Sequence, residues 1–438
     1  MQDPSRPSDA TPPSSDRPKP RLQVAERDQV TFRAASLNRL VAEDHPVRSV
    51  WAYAQRADLS VLYAAIRAVE GAPGHPAIDP RILLALWLYA TAEGVGSARE
   101  LDRLCREHQA YQWICGDVTV NYHTLADFRV QTTQLLDRLL TEGVGMLASQ
   151  GLVTLHRVSQ DGKRIRASAG SGSFRRRKTL EVYLKEARLQ VDRLRKEVES
   201  DPAASSRRKQ AARERAARER EERLSAAFNE LEKAEAKKTK EEKKAKVRTS
   251  MTDPDARMMK MGDGGYRPAY NVQFATDTAH GIVVGVDVSQ NACDTVNLLP
   301  MVDQLQKRYG VAPGELLADG GYSAKENIET LSAPPYYTKT YIPVPKRAKS
   351  ILDPYRPRLG DSESVAKWRV RMGLDESKEI YKLRAQSAEW VNAQVARQGL
   401  HQVRVRGLQR VKAIALWHAV THNMRRTASL LGRLATKG

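Results

Sequence analysis

Cysteine is scarce in this sequence, and its few cysteines are not spaced for metal binding. Cys105, Cys115 and Cys293 are the only three, and none belongs to a C-x-x-C pair. A disulfide framework and a cysteine-ligated zinc site are therefore not expected, whereas a reducing cytoplasm suits such a chain.

Long apolar runs are missing as well. The longest, around residues 82–90, falls short of the roughly 20 apolar residues that a membrane-spanning helix needs. The N-terminus has no apolar signal core, and residues 1–25 are rich in Pro, Ser, Asp and Arg. We predict a disordered tail at 1–25 and no membrane partner.

Acidic residues are outnumbered by basic ones. The chain has 72 Lys and Arg against 52 Asp and Glu, which gives a formal net charge of +20. Such a surplus favours a polyanionic partner, because each neutralised phosphate releases condensed counterion. Charge alone does not distinguish DNA from RNA, from an anionic lipid surface, or from a merely basic protein. The 438 residues, 41% of them hydrophobic, suffice for two or three domains with cores.

Glycine is absent from residues 174–248, which are dominated by Arg, Lys, Glu and Ala. Apolar residues recur there at spacings of 4, 3, 4, 3 and 4, at Leu180, Leu184, Ala187, Val191, Leu194 and Val198. This spacing is typical of a coiled coil. An Asp-Pro pair at 201–202 interrupts the pattern, and a second apolar stripe follows at 224–231. We predict an antiparallel helical hairpin that serves in dimerisation, as a spacer or in direct DNA contact.

The rest of the pattern predicts an α/β fold. Helical periodicity covers residues 26–150 and includes a helix capped at Asp79-Pro80. Strands are predicted at 152–165, 270–275, 282–288, 315–318 and 338–344, helices at 294–309, 377–397 and 408–431, and a loop at 345–365. This order is that of an RNase H-like mixed sheet, with the hairpin inserted between its first two strands.

The predicted domains are the tail (1–25), a helical DNA-binding or dimerisation domain (26–150), the RNase H-like domain (151–173 and 249–400), the hairpin (174–248) and a C-terminal helix (401–438).

Three acidic residues carry the strongest chemical signal. Asp161 and Asp319 lie at the ends of predicted strands, and Glu389 lies on a predicted helix. Two strand carboxylates and one helix carboxylate could together hold two Mg²⁺ ions roughly 4 Å apart, as in enzymes that cut phosphodiesters. Taken singly, an Asp-Gly pair is usually a turn, and Glu389 could be a surface glutamate.

The neighbourhood of Glu389 adds to this signal. Tyr381, Arg384 and Glu389 are spaced by 3 and 5 residues, so on an α-helix they fall within an arc of about 140°. On that geometry Glu389 projects from a face that flanks the other two. Competing carboxylates are Asp287, Asp294, Glu376 and Glu379, and among these Glu379 is the preferred alternative to Glu389.

Basic residues flank the acidic ones. Although any one of them could simply lie on a solvated face, as a group they favour phosphate binding. They are Lys163, Arg164, Arg166, Arg175, Arg176, Arg177, Lys178, Lys346, Arg347, Lys349, Arg397, Arg404, Arg406 and Arg410.

Four segments resemble the DDE-type transposases of bacterial insertion sequences. They are residues 159–169, which begin with Ser-Gln-Asp-Gly, residues 268–277, residues 318–327, which begin with Ala-Asp-Gly-Gly-Tyr, and residues 381–389, which read Tyr-Lys-Leu-Arg-Ala-Gln-Ser-Ala-Glu. Residues 44–48, 406–408 and 421–424 are similar to the helical parts of the same family. The resemblance covers roughly residues 30–430.

The resemblance implies a metal-binding triad of Asp161, Asp319 and Glu389. Two Mg²⁺ ions are implied, with Mn²⁺ as a substitute, and Asp161 would bridge them. Tyr381 and Arg384 would belong to the signature around the glutamate and contact phosphate or flanking DNA. The family often has a Lys seven residues after this glutamate, where the present chain has Ala396 followed by Arg397. Many relatives also carry cysteine pairs before the glutamate, and this chain has none.

The implied function is DNA transposition in the bacterial cytoplasm, associated with the nucleoid. The enzyme would bind terminal inverted repeats, cleave at the ends of the element and join the 3′-ends to target DNA, as a homodimer or larger assembly. Two alternatives stay open: a catalytically inactive, transposase-derived DNA-binding protein, and an RNase H-like nuclease or resolvase.

Overall fold

The structure is a computed structural model that describes residues 36–68, 76–200, 207–345 and 353–435. The predicted tail at 1–25, the Asp-Pro pair at 201–202 and the basic residues Lys346, Arg347 and Lys349 lie outside these ranges. Within them, no helix is both long and apolar enough to cross a membrane.

The N-terminal part of the chain is helical. After a short 3₁₀ turn at Leu37–Arg39 come α1 (Pro46–Arg56), α2 (Ser60–Ala64), α3 (Pro80–Ala92), α4 (Ala98–Glu107), α5 (Gln109–Cys115), α6 (Tyr122–Gln131) and α7 (Thr133–Ser149). The predicted cap of α3 is confirmed: the Asp79 carboxylate accepts a hydrogen bond of 2.8 Å from the Arg81 backbone N–H, and Pro80 takes the first helical position. Most of α3 is buried, so it forms the centre of this helical region.

A helical hairpin follows the first strand. The elements are β1 (Arg157–Arg166), β2 (Phe174–Arg175), α8 (Arg177–Ser200), α9 (Arg207–Ala236), α10 (Glu241–Lys244) and β3 (Thr249–Ser250). Apolar residues of the predicted coiled-coil pattern are buried between the two long helices, namely Leu180, Leu184 and Ala187 against Leu224, Ala227 and Leu231. At the base of the hairpin β2 pairs with β3, so that Phe174 lies opposite Ser250. We refer to this β2–β3 pair as the clamp.

The central sheet is mixed. Its further elements are β4 (Arg257–Lys260), β5 (Tyr266–Asp277), β6 (Val283–Ser289), α11 (Leu298–Tyr309), β7 (Glu315–Leu317), α12 (Lys325–Ser332) and β8 (Lys339–Tyr341). The strand order is β4-β5-β1-β7-β8, and β6 also pairs with β5. β5 runs antiparallel to β1, β4 and β6, whereas β7 runs parallel to both β1 and β8. The predicted RNase H-like α/β class is confirmed.

The C-terminal part is again helical, with α13 (Glu363–Gly373), α14 (Asp375–Arg384), α15 (Trp390–Arg397) and α16 (Leu408–Ala435).

The prediction of a loop through residue 365 is wrong at its end, because α13 begins at Glu363, capped by the Ser362 hydroxyl. The predicted strand at 152–165 is also displaced. β1 begins at Arg157, so Asp161 lies in the middle of a strand and not at its end.

The last helix, α16, joins the helical region to the sheet in one core. Trp417 of α16 is buried beside Trp87 of α3, with ring centroids 6.4 Å apart. The indole N–H of Trp417 donates to the backbone carbonyl of Arg129 at 2.9 Å. On its other side, α16 contacts the β5–β6 turn, where the Asn423 side chain bonds to both the N–H and the carbonyl of Val283. The helical region and the sheet are thus held in a fixed relation.

Buried histidines in α16 make the stability of this core dependent on pH. His422 bonds to the Gly281 carbonyl at 2.8 Å, and burial lowers its pKa from 6.5 to about 4. As the pH falls below 6.5, the unfolded chain takes up a proton first, so the free energy of unfolding decreases between about pH 6.5 and 4. The slope is at most about 1.4 kcal/mol per pH unit for this histidine. In urea titrations at several pH values, His422→Gln is expected to flatten the dependence, and an unchanged slope would contradict this account.

Candidate active site

Strand register brings the first two acidic residues together. β1 and β7 are parallel, with Arg157 opposite Glu315 and Ser159 opposite Leu317. Continuing this register by two residues on each strand places Asp161 level with Asp319, which follows β7 directly. Neighbouring strands lie about 4.8 Å apart. The apolar residues of β7 are fully buried, so this short strand delivers Asp319 to the edge of the sheet beside Asp161.

A π-helical turn brings in the third carboxylate. Residues Ala385–Glu389, between α14 and α15, form a π-helix, in which residues five apart share a face. The Arg384 guanidinium consequently forms an ion pair with the Glu389 carboxylate, five positions on. The prediction that Glu389 projects from a flanking face is wrong, because it assumed α-helical periodicity through this turn.

Arg384 lies at the centre of the three carboxylates. Its Nη2 atom is 3.3 Å from Asp161 Oδ1 and 3.8 Å from Asp319 Oδ2, while Nη1 contacts Glu389. The side chain of Arg384 is only 11% exposed. One internal cation thus neutralises part of a site in which three negative charges would otherwise repel one another.

Asp161 is the innermost member of the group. Its side chain is 13% exposed, against 40% for Asp319 and 52% for Glu389. Burial raises the pKa of Asp161, and the positive charge of Arg384 counteracts this rise. Asn392 of α15 donates to Asp161 Oδ2 at 3.0 Å and fixes the carboxylate. The site is therefore closed at Asp161 and open to solvent at Asp319 and Glu389.

Tyr381 lies within electrostatic reach of the same group. Burial raises the pKa of its hydroxyl, and the three carboxylates add to the rise against the opposing effect of Arg384. Tyr381 and Arg384 are one helical turn apart on α14. The hydroxyl stays protonated near neutral pH, so it is a hydrogen-bond donor at the edge of the site.

Two residues at the site are functional candidates that sequence reasoning undervalued. Asn392 belongs to no motif found in the sequence, although it lies three residues beyond Glu389 on the same helix. Asp294, predicted only as a competing carboxylate, accepts hydrogen bonds from Asn271 at 2.6 Å and Gln273 at 3.2 Å. Arg164 lies 3.7 Å from its other oxygen. Asp294 thus belongs to a hydrogen-bond network next to the site and not to the carboxylates that pair with Arg384.

The other competing carboxylates lie in other surroundings. Glu379 is exposed and pairs with Lys382 at 2.6 Å, and Glu376 is exposed at the start of α14. Asp287 on β6 pairs with Lys412 of α16 at 3.2 Å. Of the acidic residues proposed from the sequence, Asp161, Asp319 and Glu389 are the ones that meet at Arg384.

The donor set suits a hard divalent cation in its chemistry, because all three groups offer carboxylate oxygens. With Arg384 between them, however, no group of three or more His, Cys, Asp or Glu side chains in the described part of the chain is arranged to hold a metal ion. The carboxylates fit the implied metal only once the guanidinium has moved. Arg384 is thus the cation that the three carboxylates hold in this structure.

Some of the predicted phosphate-binding residues are engaged within the protein. Arg177 pairs with Glu235 at 2.6 Å, with its guanidinium 4.9 Å from the ring centroid of Phe228. Arg164 donates to the carbonyls of Lys260 and Ala292, both at 2.8 Å. These two arginines brace the hairpin and the site.

Other predicted basic residues retain exposed positions. Arg175 bonds to nearby backbone carbonyls and Arg406 to that of Ser168. Lys163 lies two residues after Asp161 on β1. Burial lowers the pKa of its ammonium group, and the negative charge of Asp161 partly offsets this decrease. Exposed side chains are those of Arg166, Arg176, Lys178, Arg397, Arg404, Arg406 and Arg410.

Gly162 leaves room that the site requires. A Cβ atom at this position would lie 2.7 Å from Asp294 Oδ1 and 2.9 Å from Asn271 Oδ1, and closer still to Gln273. These groups belong to one hydrogen-bond network, so they cannot move aside freely.

We expect Gly162→Ala to lower the free energy of unfolding by about 1–3 kcal/mol, measured by urea denaturation. Gly320→Ala is the matched control, because a Cβ atom there meets nothing within 4 Å; equal losses in both would contradict the packing argument.

Two protein-family models match the chain. A family model described as a transposase DDE domain matches residues 235–424, and one described as a transposase domain matches residues 35–131. Together they cover most of the chain, which belongs to the DDE-type transposases of insertion sequences. No curated protein and no solved structure matches the chain. Asp319 and Glu389 lie within the DDE match, whereas Asp161 precedes it, on the far side of the hairpin.

Proposed function

We propose that this transposase binds the terminal inverted repeats of its insertion sequence, cleaves phosphodiesters at the element ends and joins the 3′-ends to target DNA. Asp161, Asp319 and Glu389 are assigned as the ligands of two Mg²⁺ ions. The observation that carries the proposal is the convergence of these three carboxylates on one guanidinium, from two strands and a helix. Arg384 offsets only part of the negative charge of three carboxylates, so the site favours binding of further cations.

The three carboxylates have different roles. Asp161 is buried and fixed by Asn392, which suits a ligand that bridges two ions. Asp319 and Glu389 are open to solvent, where they would hold the metals within reach of bound DNA. The bound metals supply Lewis-acid chemistry, activating a water or 3′-hydroxyl and stabilising the leaving oxygen.

Arg384 and Tyr381 are assigned to the phosphate. With the carboxylates holding divalent cations, the Arg384 guanidinium would be available to the phosphate, because its planar fork matches phosphate oxygens. Tyr381 can donate a hydrogen bond to the same group. Both residues lie on α14 and so are presented to the scissile phosphate by one rigid element.

The larger assembly is a homodimer or higher oligomer on DNA, because two element ends must be cut in one complex. Residues 26–150 are assigned to DNA binding or dimerisation, and the hairpin at 174–248 to contacts between subunits or with the DNA ends. The net charge of +20 supports a DNA partner. The protein is assigned to the nucleoid of the bacterial cytoplasm.

The test uses the purified full chain and a labelled duplex that carries the DNA end flanking its own gene. Nicking at the element boundary with Mg²⁺ or Mn²⁺ but not with EDTA, followed by joining of the 3′-end to a target duplex, is the expected result. Tight binding without cleavage under any condition would favour an inactive DNA-binding protein, for which Ala396 at the usual lysine position is the one hint. Cleavage of branched DNA without joining would favour a nuclease or resolvase.

A further inference from the structure

A cavity of about 510 Å³ lies where the helical region meets the C-terminal segment, and none of the three triad carboxylates lines it. Its walls include Trp87 of α3, the turn at 94–96, Arg129 of α6, the segment at 398–404 and His418 of α16. No Asp or Glu lines it. A second cavity of about 420 Å³ shares the 94–96 turn and Arg404 with the first, and adds Arg99 and Glu100 at the start of α4.

Arg129 is a buried cation without a carboxylate partner among the described residues. It is 9% exposed, its Nη1 donates to the Gly96 carbonyl at 2.5 Å, and its guanidinium lies 4.6 Å from the ring centroid of Trp87. Its Nε atom has no hydrogen-bond partner. Burial lowers the pKa of Arg129 to about 10, and repulsion from Arg404 adds to this effect. A buried charge of this kind is normally paired.

Further polar groups of the same cavity lack partners. The Nδ1 atom of His418 and the Oε1 atom of Gln398 have no hydrogen bond, although each residue is only 7% exposed. Burial lowers the pKa of His418 to about 3, with repulsion from Arg129 as a second cause. The histidine is thus neutral. The two arginines are the charged groups of the cavity lining, and both are positive.

The segment at 398–404 connects this cavity to the predicted DNA-binding surface. It is bridged to the end of β1 through Arg166 and Gln402, and Arg406, shortly after it, bonds to Ser168. Arg404 itself is exposed at the rim. Basic residues for which the sequence predicts phosphate binding therefore lie on the cavity lining (Arg404) and next to it (Arg166 and Arg406).

We propose that this cavity binds a phosphate group, with Arg129 at its base and Arg404 at its rim. A phosphate would supply the negative charge that Arg129 lacks, and its oxygens accept the donors that Arg129 leaves unused. Arg404 would add a second positive charge at the rim, where Glu100 of the neighbouring cavity interacts with it. The volume exceeds the need of a single ion and leaves room for the sugar of a nucleotide. The source we favour is the backbone of bound DNA, an assignment that rests on the proposed function.

The first experiment measures thermal unfolding of the full chain with inorganic phosphate against chloride at equal ionic strength. Phosphate is expected to raise the Tm of the wild-type protein by roughly 1–2 °C. Arg129→Gln, Arg404→Gln and Gly96→Asp should each lose this increment. Gly96→Asp places a carboxylate beside Arg129, where an added Cβ meets nothing within 4 Å, so it tests the site without disrupting the packing. Arg356→Gln, an exposed arginine outside the cavity, is the matched control and should keep the increment.

The second experiment measures binding of a duplex DNA in EDTA as a function of salt. Arg129→Gln and Gly96→Asp are expected to weaken binding about tenfold, and to lower the slope of log affinity against log salt by about 1 for each phosphate that the variant no longer binds. Because no metal is present, this result is independent of cleavage, and inactivity of the enzyme would not affect it. Loss of the phosphate increment with unchanged DNA binding would assign the site to a free phosphate-bearing ligand. No phosphate increment in the wild-type protein, together with unchanged DNA binding in the variants, would overturn the proposal.

Discussion

Replacing Asp161 or Asp319 by Asn is expected to reduce metal-dependent cleavage of the element end by about a thousandfold or more. Losing a single preorganised donor at a reacting centre already costs about 10²–10³ in rate, and a metal ligand contributes charge as well as position. Glu389→Gln should have a similar effect, because its carboxylate contacts the same guanidinium as the two aspartates. The measurement is the initial rate of nicking on a labelled duplex with Mg²⁺.

The control variants are Glu379→Gln and Asp287→Asn. Glu379 pairs with Lys382 on the surface and Asp287 with Lys412, so neither should alter the rate by more than a few-fold. All variants should bind DNA as the wild type does in EDTA, which separates chemistry from binding. Cleavage that survives Glu389→Gln but is lost in Glu379→Gln would move the third ligand to Glu379 and overturn the assignment.

Replacing Arg384 by Gln is expected to tighten Mn²⁺ binding to the protein without DNA by roughly tenfold or more. The guanidinium occupies the space between the three carboxylates, and a metal must displace it. At an effective dielectric constant of about 20, one charge at about 4 Å contributes on the order of 4 kcal/mol. Solvent screening at the partly exposed Asp319 and Glu389 reduces this electrostatic contribution. A remainder of about 1.4 kcal/mol already corresponds to a tenfold change in Mn²⁺ affinity.

Mn²⁺ binding can be followed by electron paramagnetic resonance or by calorimetry, independently of any catalytic readout. Arg384→Lys is the informative comparison, because it keeps the positive charge and should keep most of the competition with the metal. Cleavage should nevertheless fall in Arg384→Gln, since the phosphate loses its guanidinium. Unchanged Mn²⁺ affinity in Arg384→Gln would show that the guanidinium does not compete with metal.

Much of the site could be predicted from sequence because its parts are local. A short apolar run, followed by Asp319 and two glycines, predicts a buried strand that ends at a functional edge. The motif around Asp161 predicts a site residue but does not predict its position in the strand. It lies in the middle of β1 and reaches the site because β7 is short and ends beside it, and the length of a neighbouring strand is not visible in the pattern around Asp161.

Other features depend on tertiary contacts that leave no periodic signal. The π-turn at Ala385–Glu389 changes the phase of the helix without a Gly or Pro to mark it. Ser387 is fully buried there and contacts Ser159 of β1 at 2.7 Å, so packing against the sheet accompanies the turn. The start of α13 is not predicted, because the segment before it is rich in Pro, Arg and Lys, although Trp368 and Met372 bury one face of the helix.

The clamp at the base of the hairpin has a consequence for how the chain folds. In the sheet, Arg166 of β1 pairs with Ala269 of β5, 103 positions later (269 minus 166). With Phe174 already paired with Ser250, the open chain between the two strands is reduced to about 27 residues, 8 before the clamp and 19 after it. Loop-closure entropy grows only with the logarithm of length, so this shortening favours the pairing of β1 with β5 by about 1 kcal/mol. A hairpin that closes first therefore makes the length of the insertion almost irrelevant to assembly of the strand that carries Asp161.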